Sequence, residues 1–323
     1  MTIPPQRSAN PASMSSGQRA CLSSGDSRLP HGLEDVRWAH MTRTFQALGH
    51  RFAVGSTDAG IGRLLDELYE PCVVPGEADT WYWIYQLKPG AQMRHIFVNR
   101  DCPVSYDRES WVLRYLTWHV NHEVIQRSSD YVLLHAAAAE RHGLGVVFPA
   151  PPEAGKTTLV AGLIRSGFRY VTDEAVAIDP STLDVIPYPK PLSIDPGSWS
   201  VLPDFAPTGV KIGAGYHESQ WHVNPQVIRE DAISGSVGLA LVVFPKFVEG
   251  ARTFVEPVRP SEALVEVLGQ TFRLHEHGRR NFGVLGRCIQ KMPCYRLVSG
   301  DLEEACLAVE ELVNSVGANG TRR

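Results

Sequence analysis

The sequence predicts an α/β fold preceded by a smaller module of mixed helices and strands. Two observations lead to this class. Between residues 131 and 178, short apolar runs and one helical segment follow each other in the order strand, loop, helix, strand. A later apolar run, 238–244, has the composition of a strand that is buried on both faces. We place the domain that these elements form at residues 129–316 and the smaller module at 31–128.

The composition is that of an ordinary folded protein. The chain has 323 residues, of which 43% are hydrophobic and 20% charged, so a sizeable core is available. A formal net charge of −4 gives no general attraction for nucleic acid or anionic membranes, and we expect neither as a partner. The six cysteines form no C-x-x-C pair, and no apolar stretch is long enough to span a membrane. We therefore expect a cytoplasmic protein without a secretion signal.

The two ends of the chain and the first module carry weaker signals. Residues 1–30 are rich in Ser, Pro, Gly and Asn without apolar periodicity, which predicts a disordered leader, and we expect a disordered tail over 317–323. Within the module, residues 81–85 form an aromatic cluster. Helical spacing of apolar residues predicts a helix over 111–125.

The main domain begins with a clear run of elements. Its first helix is indicated by apolar residues on one face and a glycine stop at Gly167. The predicted elements are strands at 131–134 and 144–148 around a turn at 141–143, the helix at 157–165, and strands at 170–172 and 175–178.

Further along, the strand 238–244 is expected to end at Pro245, because proline lacks a backbone N–H. Two helices are expected to close the chain. One is capped by Ser261, and the other runs from about Asp301 to Val316 with Asp301 and Glu304 spaced as a capping box.

The loop between the second strand and the first helix carries the strongest chemical signal. Residues 150–157 match the phosphate-binding pattern G-x-x-x-x-G-K-[ST], except that Ala150 replaces the first glycine. In such a loop Gly155 allows backbone N–H groups to point at phosphate oxygens, Lys156 neutralises the β and γ phosphates, and the Thr157 hydroxyl completes a Mg²⁺ shell.

Two prolines, Pro151 and Pro152, cannot donate N–H groups to a phosphate. Despite these two prolines, the glycine, lysine and threonine of the pattern predict a site for a nucleoside triphosphate, ATP or GTP, with Mg²⁺ as cofactor. The predicted nucleotide-binding residues are Ala154, Gly155, Lys156, Thr157 and Thr158.

Acidic residues follow where a metal-binding acid is expected. Asp173 and Glu174 come directly after the next strand, sixteen residues past Thr157. The alternative is a pair of solvated carboxylates at a strand edge. His135 ends the strand before the loop and is a candidate catalytic residue, although a lone histidine beside an apolar run is more often a core residue.

Two lysines, Lys190 and Lys246, are candidate contacts to the γ-phosphate, and the alternative is a solvated lysine near a turn. A metal-centred interpretation is less favoured because the histidines lack recognised ligand spacing. Its candidate pairs are His119 and His122, His217 and His222, and His275 and His277.

Together these motifs resemble the catalytic domain of the HPr serine kinase/phosphorylase family. Leu134-His135-Ala136, segment 153–159 and segment 167–174 stand in the family's order and spacing. The resemblance covers roughly 130–315 and is closer to the HPr-kinase-related proteins, some of which are encoded beside peptide natural products. Further segments similar to those proteins lie at 188–193, 243–246, 293–297 and 300–302.

The resemblance implies a P-loop kinase domain of the phosphoenolpyruvate-carboxykinase-like type. It implies that Asp173 is the general base, that Glu174 touches Mg²⁺, and that His135 lies near the phosphates. The implied activity is ATP-dependent transfer of a γ-phosphoryl group to a Ser or Thr hydroxyl of a protein or peptide. Members of that family assemble as hexamers, so a homo-oligomer is among the implied states.

Several alternatives remain open at this stage. The second acid is Glu where the family has Asp, and segment 195–198 does not match the family's glycine-rich signature. HPr as acceptor and reverse phosphorolysis therefore stay open. A small-molecule alcohol kinase would need the same residues. A non-catalytic or regulatory nucleotide-binding module would follow if Ala150, Pro151 and Pro152 impair the loop.

Overall fold

The computed structural model of the chain describes residues 29–101, 103–205 and 221–320. Over these ranges the fold is mixed α/β, with a six-stranded, an eight-stranded and a two-stranded sheet. No helix in the described ranges is both long and apolar enough to cross a membrane. Most of the predicted leader, 1–28, and the last three residues, 321–323, lie outside the described residues.

The first module is a sheet with two helices. The sheet has the order β1-β3-β4-β5-β6, with β2 paired to β3. The helix predicted over 111–125 is confirmed as α2, whereas α1 has no counterpart in the sequence prediction. The elements are β1 (His40–Met41), β2 (Phe45–Ala47), β3 (His50–Ser56), α1 (Ala59–Leu68), β4 (Thr80–Tyr85), β5 (Arg94–Val98), β6 (Val104–Tyr106) and α2 (Glu109–Arg127).

The second part contains the predicted order of strand, loop, helix and strand. Its elements are β7 (Val132–Arg141), β8 (Leu144–Pro149), α3 (Lys156–Arg165), β9 (Arg169–Thr172), β10 (Ala175–Ile178), β11 (Asp184–Ile186), β12 (Leu192–Ile194), β13 (Trp221–Val223), α4 (Pro225–Ile228), β14 (Val237–Phe247), β15 (Phe254–Pro257), α5 (Pro260–Gly269), α6 (Leu274–Lys291), β16 (Cys294–Ser299) and α7 (Leu302–Gly320). The last helix thus extends into the segment predicted as tail.

The large sheet has the order β11-β10-β7-β8-β14-β16-β15, with β9 paired to β7. Strand β14 is parallel to both β8 and β16, whereas the β7–β8 and β7–β10 pairs are antiparallel. The carboxyl ends of β8 and β14 therefore meet at one edge of the sheet. The loop that follows β8 lies at this edge.

Helices cover both faces of the large sheet. On one face α3 and α7 pack against it through buried residues such as Leu163 and Val309, and on the other face α5 and α6 pack through residues such as Val267 and Leu285. A third core fills the first module and also includes Ala175 and Tyr188. The first module is therefore packed against the end of the main sheet that carries β10.

The structure corrects three predicted boundaries. Strand β7 does not end at Leu134 but continues to Arg141, so His135 lies inside the strand and not at its end. Strand β14 does not end at Pro245 but continues to Phe247, with Pro245 opposite Leu297 of β16. The pairing of β14 with β8 stops at Val242. Pro245 lies beyond this point, so its missing N–H can face the side of β14 that is no longer paired with β8. Helix α5 begins at Pro260, a residue favoured in the first turn, so Ser261 lies inside the helix and is not its cap.

Two further differences concern the last helices. Helix α6 is absent from the sequence prediction because Gly278, Gly283 and Gly286 and many charged residues mask its apolar face. The predicted capping box is half formed. Asp301 Oδ1 accepts a hydrogen bond from the Glu304 N–H at 2.9 Å, but the Glu304 carboxylate accepts from Thr253 instead of returning to Asp301.

Candidate functional site

The loop from Ala150 to Gly155 joins the buried strand β8 to the start of α3. Gly155, the residue before the helix, has a φ of 83°, and Glu153 has a φ of 64°. Both lie in the left-handed region that favours glycine. Ala150 is 4% exposed and does not have a positive φ. An alanine is therefore compatible with the first position of this loop, and the strained non-glycine position is Glu153.

Lys156 is turned back onto its own loop. Its Nζ donates hydrogen bonds of 2.8 Å to the carbonyl oxygens of Ala150 and Pro151, and the residue is 7% exposed. Burial lowers the pKa of this ammonium, while Glu174 and Asp173 oppose that shift. The loop thus encloses a lysine ammonium on its inner side.

Asp173 joins the first turn of α3 to the neighbouring strands. It follows β9, and its Oδ2 accepts a hydrogen bond of 3.0 Å from the Thr157 hydroxyl and a long one of 3.5 Å from the Ser193 N–H. Its Oδ1 accepts from the Tyr170 hydroxyl at 2.8 Å and lies 2.7 Å from the Lys190 Nζ. The residue that the sequence places at the end of this strand is therefore a buried carboxylate with partners on both oxygens.

Glu174 and His135 lie beside this carboxylate. Glu174 is partly exposed, and burial raises its pKa against the opposing effects of Lys190 and Lys156. His135 is opposite Ala175 in the β7–β10 ladder, next to these acids. Desolvation, followed by the charge of Lys156, lowers the pKa of His135 to about 4, so its ring is neutral at pH 7.

The structure places the two candidate phosphate lysines in different environments. Lys190 is 3% exposed and forms the ion pair with Asp173, and its Nζ also donates to the Pro191 carbonyl at 3.0 Å. Lys246 is exposed near the end of β14. It precedes Phe247, whose Cβ would lie 3.8 Å from a Cβ added at Gly155. Lys246 is therefore the chain neighbour of a residue that lies near the loop in space, whereas Lys190 belongs to the Asp173 cluster.

Two other hydroxyl and imidazole contacts border the site. Thr158 Oγ1 lies 2.5 Å from Ser198 Oγ, which ties the first turn of α3 to a short 3₁₀ turn, Pro196–Ser198. His222 of β13 is 3% exposed, and its Nδ1 lies 3.3 Å from Ser193 Oγ. Desolvation, followed by the nearby Lys190, lowers the pKa of His222 to about 4.

Sequence reasoning missed the roles of Tyr170, Ser193 and His222 in this cluster. His222 was considered only as a metal ligand with His217, which lies outside the described residues. In the part of the chain that the structure describes, no three His, Cys, Asp or Glu side chains form a group able to hold a metal ion. The Thr157 hydroxyl and the Glu174 carboxylate, which the sequence predicts as metal ligands, are nevertheless hard oxygen donors of the kind that suits Mg²⁺.

The fold and the loop define a mixed α/β protein with a glycine–lysine–threonine turn at the carboxyl edge of its main sheet. No protein-family model and no curated protein matches the sequence. Among solved structures, the Hpr(Ser) kinase/phosphatase from Coxiella burnetii matches over 58% of this chain and 98% of its own, with 12% sequence identity and a TM-score of 0.29. This is a weak structural likeness to a kinase/phosphatase.

Proposed function

We propose that the chain is a nucleoside-triphosphate-dependent kinase that transfers a γ-phosphoryl group to a Ser or Thr hydroxyl of a protein or peptide. The observation that carries the proposal is the arrangement at the start of α3. Gly155 is left-handed, Lys156 begins the helix, and the Thr157 hydroxyl bonds to Asp173 Oδ2 at 3.0 Å.

This arrangement suits a triphosphate for three reasons. The first turn of α3 has free N–H groups and the positive end of the helix dipole. Lys156 supplies a cation that can leave the carbonyls of Ala150 and Pro151 when phosphate oxygens are available. Thr157 and Glu174 would hold Mg²⁺, which supplies charge neutralisation for the phosphates when bound.

The acceptor side of the proposal rests on carboxylates. Phosphoryl transfer needs mainly positioning and charge stabilisation, together with a group that takes the proton of the attacking hydroxyl. Asp173 is the proposed general base, as the family resemblance implies, and Glu174 is the proposed metal-side acid. His135 is neutral at pH 7 and lies beside both, so it can accept or donate a hydrogen bond near the phosphates.

A second candidate function is a regulatory module that binds a nucleotide without transferring phosphate. One observation favours it. The Lys156 ammonium already has two carbonyl partners in the loop, and Pro151 and Pro152 provide no N–H groups. In this alternative, an activating partner releases Lys156 from the two carbonyls before the loop accepts phosphate.

Two measurements separate these functions. Thermal melting with Mg-ATP and Mg-GTP tests binding, and incubation of the protein with γ-labelled nucleotide and a cell extract tests transfer. We expect a raised melting temperature and label on a Ser or Thr of a protein or peptide. Binding without transfer to any acceptor supports the regulatory module, and the absence of binding to either nucleotide contradicts both functions.

A further inference from the structure

Lys190 is held in a rigid segment between β11 and β12. It stands between Pro189 and Pro191, whose rings fix the backbone φ angle on either side of it. The Pro189 carbonyl accepts a hydrogen bond from the Cys72 thiol of the first module, and the Tyr188 hydroxyl donates to Asn121 of α2. The backbone that carries Lys190 is therefore tied to the first module by two contacts.

The ammonium of Lys190 is directed at Asp173 and not at the loop. Its Nζ lies 2.7 Å from Asp173 Oδ1 and 3.0 Å from the Pro191 carbonyl oxygen, and its side chain is 4% exposed. The Tyr170 hydroxyl donates to the same Oδ1 at 2.8 Å. Oδ1 of Asp173 is thus held by Lys190 and Tyr170, and Oδ2 accepts the hydrogen bond from the Thr157 hydroxyl.

We propose that Lys190 is a positioning residue, which fixes Asp173 against Thr157 and so organises the place where Mg²⁺ and the triphosphate bind. The inference rests on the proposed function for its ligand, and it replaces a direct phosphate contact by Lys190. A buried carboxylate that loses its cationic partner is strongly destabilised, and it will therefore move toward another partner or toward water. Lys190 therefore determines both the location and the orientation of the Asp173 carboxylate.

The first test needs no nucleotide. Lys190→Met, Asp173→Asn and the double variant are compared with the wild type by urea unfolding. Each single variant leaves one buried charge without its partner, so each is expected to be less stable, whereas the double variant loses less stability than the sum of the two single losses. Strictly additive losses would overturn the proposal, because they would mean that the two side chains do not interact.

The second test measures the dissociation constant of a non-hydrolysable ATP analogue in Mg²⁺ and in EDTA. Removal of a residue that orients a metal-site group typically weakens metal binding by about tenfold or more. Lys190→Met is therefore expected to reduce the gain in affinity from Mg²⁺ by this factor while leaving the affinity in EDTA unchanged. An equal loss in both conditions would indicate a direct phosphate contact and contradict the proposal.

The control is Val284→Ala in α6, a buried residue in the core on the opposite face of the sheet. It is expected to lower stability without changing the effect of Mg²⁺ on affinity. If Lys190 had a purely structural role, Lys190→Met would give the same result. If the wild type binds no analogue in either condition, the proposed function fails. The urea comparison then still decides whether Lys190 holds Asp173.

Discussion

The Thr157 hydroxyl donates a hydrogen bond of 3.0 Å to Asp173 Oδ2. This contact joins the first turn of α3 to the residue that follows β9. The two elements are consecutive in the chain, but the rest of the helix and β9 lie between the two contacting residues. Because Asp173 is also paired with Lys190, a change at any of these three side chains is expected to affect the other two.

Lys156→Ala is expected to abolish the rise in melting temperature that Mg-ATP produces in the wild type. The physical reason is that Lys156 is the cation at the start of α3 and the proposed partner of the β and γ phosphates. Lys156→Met is the matched control for the packing of its buried alkyl chain, and it should lose the nucleotide effect equally. An undiminished nucleotide effect in both variants would show that the loop does not bind phosphate.

Glu153→Gly is expected to stabilise the protein without nucleotide by about 1 kcal/mol, because a left-handed φ costs a non-glycine residue roughly this much. Glu153 has a φ of 64° and is exposed, so no packing is lost. Glu153→Ala is the control, since it removes the charge but keeps the strain. Equal stability of the Gly and Ala variants in urea unfolding would contradict this explanation.

Ala150→Gly is expected to lower stability by about 0.5–1 kcal/mol and to leave nucleotide affinity unchanged. Ala150 is buried and does not have a positive φ, so glycine removes the packing of the methyl group and adds freedom to the unfolded chain. Urea unfolding and nucleotide titration measure the two effects. A large loss of affinity would reveal a packing role for the Ala150 methyl group in shaping the loop.

Asp173→Asn and Glu174→Gln are expected to differ in their effects. If Asp173 is the general base, its variant loses transfer by about 10² to 10⁴ fold in single-turnover assays. The Glu174 variant weakens nucleotide binding in Mg²⁺ as well as the rate. Near-normal transfer by Asp173→Asn would remove the base role from this residue.

His222 is expected to make stability depend on pH. Its pKa is lowered from 6.5 to about 4 in the folded state, so below pH 6.5 the unfolded chain takes up a proton that the folded protein does not. Stability therefore falls as the pH drops from about 6.5 to about 4, by on the order of 3 kcal/mol. His222→Gln is expected to flatten this part of the stability profile in urea unfolding measured between pH 4 and 7, and an unchanged profile would contradict the assignment.

The sequence predicted the parts of the site that lie close together in the chain. The loop, α3 and the strand before Asp173 form one continuous segment, 144–173, whose apolar pattern and glycine positions specify local structure. The environments of Lys190 and His222 could not be predicted in this way. Lys190 lies between β11 and β12, and His222 lies on β13. Contacts between segments that are distant in the sequence bring Lys190 to Asp173 and His222 to Ser193.

Helix α6 was missed although the sequence holds a local signal for it. Its buried residues Val284, Leu285, Cys288 and Ile289 have helical spacing, which is the signal that would have identified it. Three glycines and several charged residues lower its intrinsic helix propensity, so its stability depends on packing against the sheet and α5.

The bonds from Lys156 to the carbonyls of Ala150 and Pro151 also have a kinetic consequence. A ligand that binds this ammonium must first contact the loop. The lysine must then replace its two carbonyl hydrogen bonds by bonds to the ligand, and the rate of this second step does not depend on ligand concentration. In stopped-flow experiments, the observed association rate should therefore approach a plateau at high nucleotide concentration, set by the release of the lysine from its own loop.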